Sequence, residues 1–178
     1  GVGFFKSLPD FNLKGKNLTI LGAGGGASAI ISQAVKEGVK RVFVFSRSKN
    51  LSKTEDRLTQ LSNRLSHPIV VQAIEDLSAL DTAVGQSALF VNATGVGMDG
   101  KSLPIPNSFI FPKHILVADV AYSPMKTPFL QMASEQGIST VNGLGMLLYQ
   151  ADRAFELMTG KAMPTEPIKN ALLKHFAE

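Results

Sequence analysis

The sequence predicts an α/β fold: a doubly wound, mainly parallel six-stranded sheet with helices on both faces. Three observations lead there. Short apolar runs alternate with helical stretches, the pattern of stacked βαβ units. A glycine-rich turn joins the first apolar run directly to the first long helical stretch. The second run is apolar almost throughout, as a central parallel strand covered on both faces requires.

Taken in order, Lys14-Gly15-Lys16 is a turn that opens a first strand at 17–21, and this runs straight into Gly22-Ala23-Gly24-Gly25-Gly26. Ala27, Ile30, Ile31, Ala34 and Val35 then fall on one face at helical spacing, and Gly38 closes that helix. Residues 41–45 form a second strand. Leu58, Leu61 and Leu65 mark a helix that stops before Pro68. A third strand at 69–71 leads to a short helix carrying Leu77, Leu80 and Val84. A fourth at 88–91 leads to Asn92-Ala93-Thr94-Gly95. The stretch 99–112 holds three prolines and reads as a long loop before a fifth strand at 115–120. Thr127-Pro128 supplies a helix N-cap with proline at the first helical position. A short sixth strand at 139–141 precedes a long helix from Leu144 to Met158 that Gly160 ends, and a last helix follows Pro164 to Pro167. In the long helix, Met146, Tyr149, Ala154, Phe155 and Met158 are expected mostly in the core, because their spacing is simply helical. Gln150 is the polar residue of interest there.

Composition narrows the function. The chain's 178 residues suit one well-cored domain, and 44% hydrophobic with 18% charged residues is an ordinary globular balance. No apolar run is long enough to span a bilayer, so no membrane partner is expected. Cysteine is absent, which excludes disulfides and thiolate metal sites and fits a cytoplasmic location. His67, His114 and His175 lie far apart and are expected on the surface or in loops rather than on a metal. The net charge of +4 comes from scattered residues such as Lys14, Lys36, Lys101, Lys126 and Lys174. Nucleic-acid readers concentrate such charge in a stripe, so this excess suits a small anionic ligand better.

The chemistry gathers at the expected carboxyl ends of the strands. Gly22 to Ala27 satisfies G-x-G-x-x-A between a strand and a helix, the context that makes this motif informative and the fold Rossmann-type. Gly22 permits the tight turn, Gly24 lets a pyrophosphate approach the backbone, and Ala27 allows close helix–strand packing. The helix N-terminus behind Gly25 and Gly26 offers free N–H groups to phosphate. At the end of the second strand an NAD site carries an acid, whereas this chain has Ser46-Arg47-Ser48-Lys49. Arg47 can hold a 2′-phosphate bidentately and the serines can add hydrogen bonds, so the expected cofactor is NADP. Asn92, Ala93 and Thr94 follow the fourth strand, where a nicotinamide ribose would lie, although such a loop can equally be a polar turn. Tyr122 follows the fifth strand and could offer its hydroxyl to a polar substrate, or simply be buried.

On these residues the chain resembles the shikimate dehydrogenase family. The likeness covers nearly its whole length: Gly1-Val2-Gly3-Phe4, Gly22 to Ala27, Ser46-Arg47-Ser48, Asn92 to Met98, Asp119-x-x-Tyr122-x-Pro124-x-x-Thr127-Pro128, and Asn142 to Met146 with Gln150. The resemblance implies an NADP-binding domain over residues 1–178, with helices in 1–16 and 144–178 bordering a substrate domain. It implies NADP-dependent, reversible reduction of 3-dehydroshikimate to shikimate in aromatic amino-acid biosynthesis. Val120, Gly143 and Met146 would lie by the nicotinamide, and Tyr122 and Gln150 would reach the substrate. The family usually has asparagine where Ser46 stands.

The family's catalytic lysine and aspartate are expected upstream of Gly1, which leaves no catalytic residue in this chain and predicts that it is inactive alone. Lys126 is expected to be a solvated loop lysine. An apolar face for the substrate domain is expected near Phe4, Phe5 and Leu8. Quinate/shikimate dehydrogenase and a non-catalytic NADP-binding module remain alternatives. Glutamyl-tRNA reductase, another oxidoreductase on this scaffold, should lack the Asp119-to-Pro128 signature.

Overall fold

The computed structural model describes residues 1–177, so Glu178, the last residue of the expected domain, lies outside the described residues. The elements are α1 (Val2–Ser7), β1 (Asn17–Leu21), α2 (Gly25–Lys36), β2 (Arg41–Ser46), α3 (Leu51–Leu65), β3 (Ile69–Ala73) and α4 (Leu77–Gly85). They continue with β4 (Ser87–Asn92), β5 (Leu116–Asp119), α5 (Pro128–Glu135), β6 (Thr140–Val141), α6 (Leu144–Thr159) and α7 (Thr165–Ala177). All six strands are parallel, in the order β3-β2-β1-β4-β5-β6. The chain runs outward from β1 to β3, then crosses back to β4 on the other side. That reversal opens a crevice at the carboxyl ends of β1 and β4.

Side chains alternate faces along each strand and divide the core in two. Phe43, Phe45 and Phe90 point to one face, where Leu80 and Val84 of α4 and Phe129 of α5 cover them. Val42, Val44, Leu89 and Val91 point to the other, against Ala27, Ile30, Ile31 and Ala34 of α2 and Leu58 of α3. Phe90 is fully buried and meets Phe129 edge to face, with ring centroids 5.3 Å apart. Such a pair adds to burial because the positive edge of one ring faces the negative face of the other.

The helix ends follow the expected chemistry. Thr127 caps α5, its hydroxyl accepting from the Leu130 N–H, with Pro128 in the first turn. Gly160 closes α6 at φ 68°, in the left-handed region. The last helix starts earlier than expected, at Thr165, so Pro167 lies inside its first turn. Proline is tolerated there because the first N–H groups of a helix have no intrahelical partner.

Two expectations about the apolar surface are corrected. Phe4 is 1% exposed, and Phe5 and Leu8 are half-buried against the same cluster, so the apolar exposure of α1 falls on Val2, 50% exposed, rather than on Phe4. The cause is close contact. A Cβ on Gly3 would lie 2.9 Å from the Met146 carbonyl oxygen, so α1 lies directly on the backbone of α6. Within α6, Leu144 and Leu148 are buried and Met146 and Tyr149 half-buried, but Ala154 is exposed and Phe155, Leu157 and Met158 are 37%, 70% and 85% exposed. The second half of α6 carries apolar residues into solvent instead of into the core.

Candidate functional site

The backbone hydrogen bonding continues one residue past several strand ends. Ile74 N–H donates to the Ser46 carbonyl, Gly22 N–H to Phe45, Ala93 N–H to Leu21 and Val120 N–H to Asn92, all at 2.8–3.0 Å. These residues therefore stand in a row along the carboxyl edge. From the end of β2 to the end of β5 is three strand spacings, ~14 Å. An open groove of about 1000 Å³ lies over the first part of this row. Gly22, Ala23 and Gly24 line it on one side, Ala93 to Val96 with Leu103 and Pro104 on another, and Ser46, Arg47, Asn50, Lys53, Thr54 and Arg57 at the β2 end.

The glycines of the turn divide into two kinds. Gly22 has φ 89°, and a Cβ there would meet Thr94 Cγ2 at 2.9 Å, so the protein itself requires glycine. At Gly24, Gly25 and Gly26 a Cβ would meet nothing within 4 Å. Packing does not demand glycine at those three positions; the bare backbone faces open space. No side chain caps α2 and its first turn holds no acid, so its N-terminal N–H groups and positive dipole end face the groove unopposed. Ala27 is fully buried and brings the helix close to the sheet, with no side chain offered to a ligand.

At the β2 end, Arg47 is exposed, and among the described residues it forms no salt bridge. Lys53 and Arg57 project into the groove from α3 together with Asn50. The expected serines are otherwise engaged. Ser46 is buried and its hydroxyl pairs with Thr54 at 3.2 Å. The Ser48 N–H and hydroxyl both donate to the Glu75 carboxylate, at 3.0 and 2.8 Å. Lys49 is exposed in a 3-10 turn and does not line the groove.

Asn92 organises the opposite wall from within. Its Nδ2 donates to the Val96 carbonyl and to Asp119 Oδ2, while its Oδ1 accepts from the Thr94 N–H and hydroxyl. The side chain is saturated, so it shapes the 93–96 loop and is not free for a ligand. Asp119 is fully buried, and it accepts from Asn92, the Thr127 hydroxyl and the Ala121 N–H at 2.8–2.9 Å. Burial pushes its carboxyl above the ordinary range, and the three donors work against that shift.

Farther along the edge, Val120 and Gly143 lie against each other. The Gly143 N–H donates to Ala121 O at 2.9 Å, and a Cβ on Gly143 would collide with the Val120 carbonyl. Met146 and Gln150 line a separate shallow hollow with Gly1, Val2 and Gly3. Tyr122 is 38% exposed and packs edge-on to Phe176 of α7, with centroids 5.4 Å apart. Neither Tyr122 nor Gln150 lines the groove. Lys126 is exposed and donates to the Ser134 hydroxyl, away from it. Among the described residues no cluster of histidine and acidic residues could hold a metal, and no helix is long and apolar enough to cross a membrane.

Comparison with known proteins decides the kinship. Residues 143–173 match the shikimate 5'-dehydrogenase C-terminal domain. A shikimate dehydrogenase (NADP(+)) of Streptococcus gordonii is 64% identical over 174 residues, which is 98% of this chain and 61% of that protein. Over nearly its whole length the chain is similar to members of the shikimate dehydrogenase family. A shikimate 5-dehydrogenase of Listeria monocytogenes, solved in complex with shikimate and NAD, superposes with TM-score 0.86 and 37% identity, covering 96% of this chain and 61% of that one. A quinate dehydrogenase of Corynebacterium glutamicum in complex with NAD superposes with TM-score 0.81 and 25% identity, over 97% of this chain and 59% of that one. The chain thus spans about 61% of the length of its curated relative from Streptococcus gordonii.

Several residues of the site were not singled out in the sequence. Asn50, the N-cap of α3, and Lys53 and Arg57 within it follow helical spacing along one face, which is the signal that could have shown them. Glu75 gave no local signal, because only the β2–β3 pairing brings it to Ser48.

Proposed function

We propose that residues 1–178 are the NADP-binding domain of a shikimate dehydrogenase, and that helices within 1–16 and 144–178 border a substrate domain in the whole protein. The reaction is the reversible exchange of a hydride between NADPH and 3-dehydroshikimate, giving shikimate. One observation carries the reading: bare glycine backbone at a helix N-terminus opens onto a groove whose far wall is cationic. Phosphates bind well in such a place, because N–H groups and dipole are already aimed at them.

The bound cofactor supplies the hydride. Gly22 to Gly26 receive the pyrophosphate, and Ala27 sets the height of the helix behind them. Arg47 takes the 2′-phosphate, helped by Lys53 and Arg57, with Ser46 and Ser48 holding the backbone around it and Lys49 adding charge from outside. Asn92 fixes Ala93 and Thr94 under the nicotinamide ribose, and Val120, Gly143 and Met146 flank the ring. Tyr122 and Gln150 face the substrate from beyond the groove. Hydride delivery to a ketone also needs a proton donor at the carbonyl oxygen. The groove's titratable side chains, Arg47, Lys53 and Arg57, stand at the opposite end from the expected nicotinamide position. The domain alone therefore binds cofactor without turnover.

Calorimetric titration with NADP⁺ and NAD⁺ tests this. NADP⁺ should bind more tightly, and Arg47→Ala should abolish that preference with a loss of ~10-fold or more for NADP⁺, about the worth of one charge-assisted contact. Absence of binding by both nucleotides sinks the proposal. Assaying the whole protein with shikimate and quinate separates the two substrate readings.

A further inference from the structure

The second strand ends without an acid, yet the fold delivers one beside Ser48, two residues past its end. Glu75 follows β3 by two residues, and the parallel pairing of β3 with β2 sets it beside Ser48. Both its oxygens face the Ser48 N–H, at 3.0 and 3.3 Å, and one also accepts from the Ser48 hydroxyl at 2.8 Å. The Ser48 hydroxyl chiefly holds this carboxylate below the usual glutamate range, and the Arg47 charge adds a smaller pull in the same direction. It is fully charged at neutral pH. An anion already occupies donors that a 2′-phosphate would use, next to the arginine that it would pair with.

We propose that Glu75 is a specificity-determining residue for the cofactor. It provides from β3 the carboxylate that NAD sites carry at the end of β2, and so narrows the domain's preference for NADP over NAD. This rests on the cofactor reading above. A 2′-phosphate entering between Arg47 and Ser48 meets the attraction of Arg47, Lys53 and Arg57 and the repulsion of Glu75 together. To use the Ser48 donors as well, it must displace the carboxylate from them. A plain ribose 2′-hydroxyl meets no repulsion and can donate to the same carboxylate.

The test is titration of the chain, whose core closes on both faces of its sheet, with NADP⁺ and NAD⁺ for wild type, Glu75→Gln, Glu75→Ala and Arg47→Ala. Glutamine keeps an oxygen for Ser48 and loses only the charge, so it separates repulsion from loop stapling. Glu75→Gln should tighten NADP⁺ binding roughly three- to tenfold and leave NAD⁺ unchanged or weaker, the range for a screened surface charge facing a dianion. The gain should shrink as salt is raised. Glu75→Ala should move the ratio the same way. If both variants leave the NADP⁺/NAD⁺ ratio within about twofold of wild type, or move it towards NAD⁺, Glu75 only staples the loop and the inference is overturned. Arg47→Ala distinguishes the failures. If it weakens NADP⁺ while the Glu75 variants do nothing, this inference alone falls; if it too does nothing, or wild type binds neither nucleotide, the cofactor reading falls and takes the inference with it.

Discussion

Asp119 is the residue on which the wall of the groove turns. It is fully buried and holds the ends of β4 and β5 and the start of α5 together through Asn92, Ala121 and Thr127. Its carboxyl is raised above its ordinary value by burial. A raised acid binds protons more readily folded than unfolded. Its favourable contribution is therefore complete below the unfolded value near 3.8 and is lost as pH rises through the folded one. Asp119→Asn removes this titration and turns an amide N–H₂ towards groups that donate, at a cost of about 1–3 kcal/mol. Denaturant melts of both proteins from acid to neutral pH check this. The stability difference should be larger in acid than at neutral pH, because only the wild type gains from protonation. A pH-independent difference would show that Asp119 is not titrating in that window. Arg47 and Glu75 are the opposite case: exposed, inexpensive to change in stability, and expected to act on ligand choice alone.

At the scale of elements, the sheet depends on aromatic packing beneath the 99–112 loop. Phe90 of β4 packs against Phe109, Phe111 and Phe129 with centroids 5.3–6.3 Å away. Phe90→Ala should cost about 3–5 kcal/mol, since a rigid ring cluster closes poorly over a cavity. Thermal melts measure it; a loss under about 1 kcal/mol would mean that the cluster relaxes into the space. The strands, the glycine turn and the capped start of α5 were legible because each rests on local rules: apolar runs, a strand–glycine–helix junction and Thr-Pro chemistry. The place of Arg47, just past β2 and lining the groove, was legible for the same reason. Burial along α6 was not, because helical spacing shows which face is apolar but not where the sheet beneath it ends. Phe155 and Met158 have the right period and nothing under them. The partners of Ser48 and Asn92 were also hidden. Their hydrogen bonds join neighbouring strand ends and loops, and no spacing rule foretells which polar groups arrive there already satisfied.

At the scale of the whole molecule, the proposed cofactor binding should show up in the chain's own stability. A ligand that binds only the folded chain stabilises it by about 2.7 kcal/mol at a hundred times its dissociation constant. For a domain of this size that is a rise of roughly 5–10 °C in Tm. Differential scanning calorimetry with NADP⁺ should show the rise in wild type and a smaller one in Arg47→Ala; equal shifts would place the nucleotide elsewhere. The same sample given shikimate and NADP⁺ should form no NADPH. The contact of α1 with α6 has a mechanical consequence. At Gly3 the two helices touch backbone to backbone, and at Gly145 a Cβ would come within 2.5 Å of Ser7 Cβ. At these two contacts there is no room for a longer side chain that could absorb a rotation by changing rotamer. A pull on α1 is thus passed through these contacts to α6 and on to Gly143. Any opening and closing of the cleft must then find its pivot outside this helix pair.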